Sequence, residues 1–408
     1  MAAKFQQQRP DSAQNSVNHP ILVLNSGSSS LRFALYQSAG PIEAVASGRI
    51  ERIRLSNPTF SANVRGQKGP EKKRISIGDH KAALQTALHW LVESGFKAIA
   101  ATGHRIVHGG PLYRESARIT PKMIKELRRL SPYDPEHMPG AIRLIELIEQ
   151  RYPGLPQVAC FDTAFHREMP RVAKLLPIPR RFDAQGVQRY GFHGLSYSYI
   201  MEELGRLEGR GATLGRLILA HLGNGASLAA VRQGKSIDTT MAFTPAAGIP
   251  MSTRSGDLDP GLVGYFARTE GMTPAQFHRM VNRESGLLGV SEISSDMRDL
   301  TARSEKDVRA REAIDLFCYQ VKKAVGSFAA ALGGVDMLVF AGGIGEHTAR
   351  VRAGVCEGLG FLGIALDKRR NEANKPIIST DSSAVKIRII RTDEEQIIAR
   401  EVLRILKG

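Results

Sequence analysis

The sequence is poor in cysteine: Cys160, Cys318 and Cys356 stand far apart in a chain of 408 residues. They form no Cys-x-x-Cys pair and no cluster, which argues against a disulfide framework and a cysteine-based metal site. No apolar run approaches the ~20 residues that a membrane-spanning helix needs. The amino-terminal segment also lacks the apolar core of a signal peptide. We therefore expect a cytoplasmic protein with no membrane partner.

Acidic residues are fewer than basic ones, 40 against 56, so the formal net charge is +16. A basic surplus is typical of proteins that bind nucleic acid, acidic membranes or anionic small molecules. Part of the surplus lies in residues 49–74 and the rest is scattered. Because no aromatic-interleaved RNA motif and no basic amphipathic helix accompanies it, we expect small anions and no nucleic acid as partners.

Hydrophobic residues make up 42% of the chain, which is enough for a large core and two or three domains. Residues 1–19 are polar and rich in Gln and Asn, and they predict a disordered tail. Buried-type strands are predicted at Ile21–Leu24, Leu31–Tyr36, Ile42–Ile50, Val158–Phe161, Leu217–Ala220, Leu228–Val231, Met337–Ala341 and Val385–Ile390. Helices are predicted at Ala82–Ser94, Pro121–Leu130, Ala141–Gln150 and Arg311–Leu332, from about Thr348, and at the carboxyl terminus. The alternation of strands and helices indicates the α/β class.

Two hairpins have turns made of small residues. The first turn reads NSGSSS from Asn25, and the second reads LGNGAS from Leu222. The alignment of GSSSL (27–31) with NGASL (224–228) predicts an internal duplication with halves of roughly 200 residues. Unhindered backbone N–H groups and hydroxyls in such turns can cradle phosphate oxygens, although for one such turn alone a plain hairpin is the better explanation. Neither is a P-loop, since no Gly-Lys-Ser/Thr is present. The sequence GGIGE from Gly342 is a third glycine-rich turn where a nucleotide could sit.

Several cationic side chains stand among glycines and small residues. Arg105, His193 and Arg254 suggest a set that binds anions, because the guanidinium fork matches carboxylate and phosphate geometry. The alternative for each one is a capped turn or a surface ion pair. Asp162 and Glu394 are candidates to hold Mg²⁺ together with phosphate oxygens. Their alternatives are a helix N-cap and stabilisation of a helix N-terminus, respectively.

The motifs of this chain resemble those of the acetate kinase family, with its propionate and butyrate relatives, over residues 20–408. They occur in the family's order: VLNSGSSSLRF, GHRIVHGG, FDTAFH, RYGFHG, HLGNGASL, SIDTTMAFTP, TRSGDLDPG, SGLLGVS, SSDMRD, GGIGE and RTDEE. The resemblance implies the duplicated actin/Hsp70/sugar-kinase (ribonuclease H-like) fold, with two domains and an interdomain cleft. It also implies a homodimer that uses ATP and Mg²⁺, with Mn²⁺ as an alternative, for reversible phosphoryl transfer between ATP and acetate. The products are acetyl phosphate and ADP.

On this resemblance, residues 20–162 with about 395–408 form the acyl-substrate domain, and residues 163–394 form the nucleotide-binding domain. The resemblance implies the catalytic residues Arg105, Asp162, His193 and Arg254. The acid would contact Arg105, Val107, Tyr133, Phe192 and Pro245. The nucleotide would contact Ser28, Ser30, Arg32, His221, Leu222, Gly223, Asn224, Gly225, Asp296, Met297, Arg298, Gly343, Ile344, Gly345 and His347. Magnesium would be held near Asn25 and Glu394.

The chain also departs from the family pattern, which marks it as a divergent member. Family members typically read LAPLHNP where this chain has LSPYDP from Leu130. Laid without a gap, the active-site histidine becomes Asp134 and a pocket leucine becomes Tyr133. His137 lies close by and compensates if the loop is shifted. Two alternatives therefore stay open: a kinase of propionate or another small acid, and a catalytically weak ATP-binding regulator of the same fold.

Overall fold

The structure is a computed structural model that describes residues 20–27, 29–37, 42–54, 56–67, 69 and 72–407. Its strands are β1 (Ile21–Ser26), β2 (Ser30–Gln37), β3 (Glu43–Glu51), β4 (Thr59–Val64), β5 (Lys73–Arg74), β6 (Ala101–Ile106), β7 (Ala117–Arg118), β8 (Gln157–Phe161), β9 (Arg216–Leu222), β10 (Ala226–Arg232), β11 (Lys235–Thr239), β12 (Met337–Ala341) and β13 (Lys386–Ile389). The predicted disordered tail, residues 1–19, lies outside the described residues.

The helices alternate with these strands, as the sequence predicts. They are α1 (His80–Glu93), α2 (Pro121–Leu130), α3 (Met138–Arg151), α4 (Arg171–Lys174), α5 (Arg180–Asp183), α6 (Gly194–Glu208), α7 (Gly261–Thr269), α8 (Pro274–Arg279), α9 (Gly286–Ser291), α10 (Met297–Arg303), α11 (Val308–Leu332), α12 (Gly342–His347), α13 (Ala349–Cys356), α14 (Lys368–Glu372) and α15 (Glu394–Lys407). None of the helices in the described part of the chain has the length and apolarity that a bilayer crossing requires.

The chain divides into two compact units. The first extends to Ala164 and includes the carboxyl-terminal segment from Asp393, and the second is Phe165–Thr392. In the described part of the first unit, the strands form one sheet in the order β5-β4-β3-β2-β1-β6-β8-β7. Strand β1 is antiparallel to β2 and parallel to β6, which is parallel to β8. The carboxyl ends of β1, β6 and β8 therefore meet at the same edge of the sheet.

The second unit repeats this arrangement in the sheet β11-β10-β9-β12-β13. Strand β9 is antiparallel to β10 and parallel to β12, which is parallel to β13. The series β3-β2-β1-β6-β8 of the first unit thus has the same order and directions as this sheet. The predicted duplication, and with it the duplicated α/β fold class, is confirmed.

Central strands of both sheets are buried on both faces, which explains why they read as continuous apolar runs in the sequence. Every residue of β1, β8 and β12 is buried. One core cluster joins Leu22 and Phe33 of the first sheet to Leu84 of α1. Another joins Leu219 and Val339 of the second sheet to helix α6.

Local signals predicted the helix boundaries with differing success. Helix α2 has the predicted cap, since Thr120 accepts a hydrogen bond from the Met123 backbone at 3.2 Å, and Pro121 begins the helix. Helix α11 begins at Val308 and not at Arg311, because Asp307 caps it by accepting from the Arg309 backbone at 3.0 Å. The expectation that GGIGE forms a turn before a helix was wrong: the segment is itself helix α12.

The three cysteines are free thiols and all are buried. Burial raises the pKa of each thiol to about 12. The expectation that the chain lacks a disulfide framework agrees with this state of the cysteines.

Candidate active site

Arg105 is the centre of a buried polar cluster in the first unit. It lies near the end of β6, and Asp162 directly follows β8. The guanidinium donates to Asp162 from Nε at 3.0 Å and from Nη2 at 2.6 Å, while Nη1 donates to Oδ1 of Asn25 at 3.1 Å. Because the strands that carry these residues end at one sheet edge, three side chains far apart in the sequence come together there.

The same cluster includes the start of helix α15. The amide nitrogen of Asn25 donates to Glu394 Oε2 and to Glu395 Oε1, each at 3.1 Å. Burial raises the pKa of Glu395, and the charge of Glu394 adds to that effect while Arg32 opposes it. Strand pairing places Arg32 directly opposite Asn25.

Charges inside this cluster balance one another. Burial acts to lower the pKa of Arg105, but the carboxylates of Asp162 and Glu394 outweigh it and hold the pKa above its ordinary value. Burial raises the pKa of Asp162, whereas the charges of Arg105 and His137 lower it. Arg105 is therefore a permanent cation, and three of its five N–H donors are occupied by Asp162 and Asn25.

The structure also describes the environment of other residues that the sequence predicted as parts of the site in the first unit. Val107, two residues after Arg105, is buried. Tyr133 is half-buried in a 3₁₀ turn and meets the His108 ring edge-on, with centroids 5.1 Å apart. Ser30 begins β2, and its carbonyl accepts from the Gly27 backbone at 2.9 Å. Ser28 lies outside the described residues.

In the second unit, the turn between β9 and β10 closes on itself. The Gly223 backbone donates to the Gly225 carbonyl at 3.1 Å, and the strand register pairs His221 with Ser227 on either side. A Cβ added to Gly225 would lie 3.2 Å from His193 Nε2 and 3.6 Å from Arg254 Nη1. The imidazole and the guanidinium thus converge on the backbone of this turn.

Hydrogen bonds fix both histidines beside the turn. His193 Nδ1 is hydrogen-bonded to Ser227 Oγ at 2.8 Å, and His221 Nδ1 to Ser196 Oγ at 2.7 Å. The two rings stack with centroids 4.3 Å apart. His193 has a left-handed backbone with φ 58° and begins helix α6. A left-handed backbone is uncommon outside glycine, although histidine is among the residues that adopt it more often.

The position of the Arg254 side chain is fixed by a backbone carbonyl nine residues earlier in the chain. Its Nη1 donates to the carbonyl of Pro245 at 3.2 Å. The backbone of Ser252 donates to the Asn224 carbonyl at 3.1 Å, which ties the Arg254 loop to the glycine turn. Phe192, next to His193, is 1% exposed. The Arg254 guanidinium, the His193 imidazole and the open backbone of the turn form a site suited to an anion.

Helix α12 begins against the same turn. Gly342 has φ 75°, and a Cβ there would lie 2.7 Å from the Leu222 carbonyl, so only glycine fits. The Gly343 backbone nitrogen lies 4.0 Å from the position that a Cβ on Gly223 would take. Ile344 and Gly345 are buried, whereas His347 is exposed. The structure therefore brings together the two glycine-rich segments predicted to bind the nucleotide.

The predicted residues at the start of α10 contact one another. Asp296 accepts from the Arg298 backbone at 2.9 Å and forms an ion pair with its guanidinium at 2.5 Å. Met297 between them is buried.

Comparison with known proteins assigns this arrangement to a family. The sequence model of the Acetokinase family matches residues 20–400. The chain belongs to the acetokinase family.

Relatives and solved structures of the acetokinase family agree over nearly the whole chain. The chain is 42% identical to an acetate kinase of Bacillus cytotoxicus over 94% of this chain and 98% of the relative, and 40% identical to a propionate kinase of Citrobacter rodentium over 95% and 97%. A crystal structure of Porphyromonas gingivalis acetate kinase matches with TM-score 0.85 and 36% identity, covering 95% of this chain and all of that one. A propionate kinase from Francisella tularensis matches with TM-score 0.87 and 35% identity, covering 94% and 98%. The chain is thus a short-chain carboxylate kinase by family, and ATP and ADP are the family's co-substrates.

Sequence reasoning missed several residues that contact the predicted ones or the helix beside them. Glu395 shares Asn25 with Glu394, and Ser227 and Ser196 orient the two stacked histidines. Ser227 could have been found from the sequence. It is the serine of NGASL, and the hairpin places it opposite His221. Arg352, which binds the end of α12, had no local signal at all.

Proposed function

We propose that this chain transfers the γ-phosphoryl group of ATP to acetate or propionate, reversibly, and forms the acyl phosphate and ADP. The observation that carries the proposal is the convergence of His193 Nε2 and Arg254 Nη1 on Gly225 in the second unit. Backbone N–H groups next to fixed side chains that donate hydrogen bonds or carry positive charge are what a transferring phosphoryl group requires. Membership of the acetokinase family supplies the reaction class.

The chemistry needs no general base. A carboxylate is ionised near neutral pH and is already the nucleophile. The obstacle is the repulsion between this anion and the phosphates, so catalysis consists of positioning and charge stabilisation. We propose that Arg105, oriented by Asp162 and Asn25, uses its remaining N–H donors to bind the acid. His193 and Arg254 would stabilise the charge that develops on the phosphoryl oxygens.

The oxygen atoms of the buried cluster in the first unit are suitable ligands for Mg²⁺. Within the described residues no group of three or more His, Cys, Asp or Glu side chains forms a metal cage. Mg²⁺ does not need one, since it typically takes one or two carboxylates together with phosphate oxygens and water. The adjacent oxygens of Glu394 and Glu395 fit this requirement. We propose Glu394 as the ligand and Asn25, whose amide donates to both glutamates, as the group that orients it; Mg²⁺ would neutralise phosphate charge when bound.

The choice between acetate and a longer acid is a matter of pocket size. Family members with a leucine in place of Tyr133 offer a smaller side chain there. The Tyr133 ring meets the ring of His108, the residue after Val107, edge-on. We propose that acetate is preferred over longer acids, although relatives of similar identity are named propionate kinases.

We also propose a homodimer and a cytoplasmic location. Helix α7 has no buried residue, and it leaves Val263 and Tyr265 about half exposed. A second copy of the chain is the occupant we propose for this apolar face, as the family resemblance implies. The three free thiols fit a reducing compartment.

The experiment traps acyl phosphate with hydroxylamine over acetate, propionate and butyrate, with ATP and Mg²⁺ supplied. We expect product with acetate in first place and a loss of about 10²–10³-fold in kcat for Arg254→Ala. The matched control is Arg206→Ala, which removes an exposed arginine paired with Glu203 and should leave the rate unchanged. ATP binding without acyl phosphate from any acid would instead establish the regulator alternative.

A further inference from the structure

Two buried hydroxyl groups lie behind the His193 ring, and the reaction above gives them no part in its protonation. Ser227 Oγ lies 2.8 Å from His193 Nδ1, and the Tyr197 hydroxyl oxygen lies 2.5 Å from the same Ser227 Oγ. Ser227 and Tyr197 are both 0% exposed. The three side chains thus form a continuous series of hydrogen bonds that ends at a ring nitrogen of His193.

The start of helix α6 explains why two of these side chains reach the same serine. His193 precedes the helix, and the Tyr197 backbone donates to the His193 carbonyl at 3.0 Å. Residues four apart lie on one face of a helix, so both side chains can face Ser227 at the start of β10. The Tyr197 ring packs against the rings of Phe165 and His166, with centroids 5.6 and 5.7 Å away. The tyrosine hydroxyl is therefore held in place by packing as well as by its hydrogen bond.

The direction of these hydrogen bonds follows from the number of protons. Each hydroxyl has one proton to donate, and a buried donor left without an acceptor is costly. Among the described residues, Ser227 is the only hydrogen-bond partner of the Tyr197 hydroxyl. Tyr197 must therefore donate to Ser227, and the serine proton is left for His193 Nδ1.

The opposite direction would bury a proton without an acceptor. If His193 Nδ1 carried a proton and donated it to Ser227, the serine would have to donate to Tyr197. The Tyr197 proton would then have no partner, which disfavours this arrangement by roughly 5–150-fold. Burial raises the pKa of Tyr197, against the smaller opposing effect of its hydrogen bond to Ser227, so the tyrosine keeps its proton near neutral pH.

We propose that Tyr197 and Ser227 form a hydroxyl relay that keeps Nδ1 of His193 as an acceptor and its single ring proton on Nε2. Nε2 is the ring atom nearest the turn, 3.2 Å from the position of a Cβ on Gly225. The relay thus presents an N–H donor where we place the phosphoryl group, and Arg254 supplies the permanent charge beside it. Ser227 and Tyr197 are positioning residues, since they act through His193. This inference rests on the proposed function, because it concerns the donor that His193 offers to the phosphoryl group.

The ring nitrogens of His193 test the relay without turnover. Nitrogen-15 NMR of the full chain, labelled at histidine, distinguishes the two neutral tautomers from each other and from the doubly protonated ring. His193→Gln identifies the signal. We expect the Nε2–H tautomer in the wild-type chain near neutral pH. In Tyr197→Phe the serine can turn and accept from Nδ1, so the excess of the Nε2–H tautomer should fall by roughly 5–150-fold.

Two spectroscopic results overturn the proposal. One is an Nδ1–H tautomer or a doubly protonated His193 ring in the wild-type chain, which needs no variant to fold. The other is an unchanged tautomer in Tyr197→Phe, since the tyrosine would then have no influence on the ring.

Steady-state kinetics connect the relay to the reaction. A neutral hydrogen bond contributes about 2–10-fold. We expect kcat to fall by about that factor in Tyr197→Phe and by at least as much in Ser227→Ala. KM for ATP and for acetate should stay within about twofold, because the donor acts in the transition state. The double variant should be no worse than Ser227→Ala, since the tyrosine acts through the serine.

The matched control is Tyr190→Phe. Tyr190 is a buried tyrosine of the same unit, and its hydroxyl donates to the Gly186 carbonyl at 2.7 Å. Its loss should lower the Tm without changing kcat or the His193 tautomer. Equal losses of kcat and Tm in Tyr190→Phe and Tyr197→Phe would show a purely structural tyrosine and overturn the proposal. A wild-type chain that has the Nε2–H tautomer but forms no acyl phosphate would defeat the proposed function and leave the relay supported.

Discussion

At the scale of single residues, the turn between β9 and β10, which we propose binds phosphate, depends on the absence of a side chain. The turn between β9 and β10 presents Gly225 to both His193 and Arg254, and His193 lies so close that a methyl group there would displace its ring slightly. The glycines were recognisable in the sequence as a cradle. The imidazole and the guanidinium beside them come from other loops, 30 residues or so away, and only the fold brings them to the turn.

The first prediction concerns Gly225→Ala. Because the added Cβ would lie 3.2 Å from His193 Nε2, the imidazole must shift by a few tenths of an ångström away from the place that we propose for the phosphoryl group. We expect kcat to fall by about 10–100-fold, as misplacement of a catalytic group does. The control is Gly211→Ala, where an added Cβ meets nothing within 4 Å. Wild-type kcat in Gly225→Ala, measured by ADP release, would contradict the role of this turn.

At the scale of elements, helix α12 is held by a buried arginine with no carboxylate among its described partners. Arg352 is 0% exposed. Its Nη1 donates to the carbonyls of Gly345 and Glu346 at 2.9 and 3.0 Å, and its Nε donates to Asn371 Oδ1 at 2.7 Å. Cations at a helix C-terminus are favourable, since the last carbonyls there have no partner within the helix. Arg352 thus joins α12 to α14.

Replacement of this arginine gives the second prediction. Burial lowers the pKa of Arg352 to about 10, so the residue is still cationic at neutral pH. Arg352→Met removes the cation together with the donors to five carbonyl and amide oxygens, and we expect a loss of about 2–4 kcal/mol in the free energy of unfolding. KM for ATP should rise because α12 begins against the turn between β9 and β10, which we propose binds the nucleotide.

Urea denaturation is the measurement, with Arg309→Met as the control. Arg309 is an exposed arginine of α11 paired with Glu292, so its loss should change the unfolding free energy by less than about 1 kcal/mol. Equal stability of Arg352→Met and Arg309→Met would show that α12 does not depend on the buried arginine.

At the scale of the whole molecule, each unit contains a buried histidine whose pKa is lowered to about 4. His104 of the first unit is hydrogen-bonded to Gln157 at 2.8 Å, and His166 of the second unit lies between Ser236 and the Phe192 carbonyl. Burial lowers the pKa of both from 6.5 to about 4, against the smaller opposing effect of these hydrogen bonds. Both histidines are therefore neutral when the chain is folded near neutral pH.

Acid sensitivity follows as the third prediction. An unfolded histidine takes up a proton near pH 6.5 and the folded one only near pH 4, so the unfolded state binds more protons between these values. Stability should therefore fall as the pH is lowered from 6.5 to 4, by up to roughly 3 kcal/mol for each histidine. Urea denaturation across this range measures the slope. In His104→Gln and His166→Gln the slope should be flatter, and His89→Gln, an exposed histidine, should keep the wild-type slope; equal slopes in all variants would contradict the prediction.

The sequence by itself determined the α/β class, the central strands, the duplication and the glycine turns, because these depend on local periodicity and on backbone freedom. Long apolar runs such as β12 and a capped start such as Thr120–Pro121 carry that information within a few residues. It also indicated Arg105, Asp162, His193 and Arg254 as separate candidates.

Only the tertiary structure decided which of these candidates lie together within each unit. Sheet order brings Asn25, Arg105, Asp162 and Glu394 to one edge, and hydrogen bonding between distant segments orients His193 and His221. The pairing of Asp134 with His137 and the burial of Arg352 had no periodic signal, since each depends on the burial of a polar side chain in three dimensions. Such burial is stable only when partners from elsewhere in the fold satisfy the side chain.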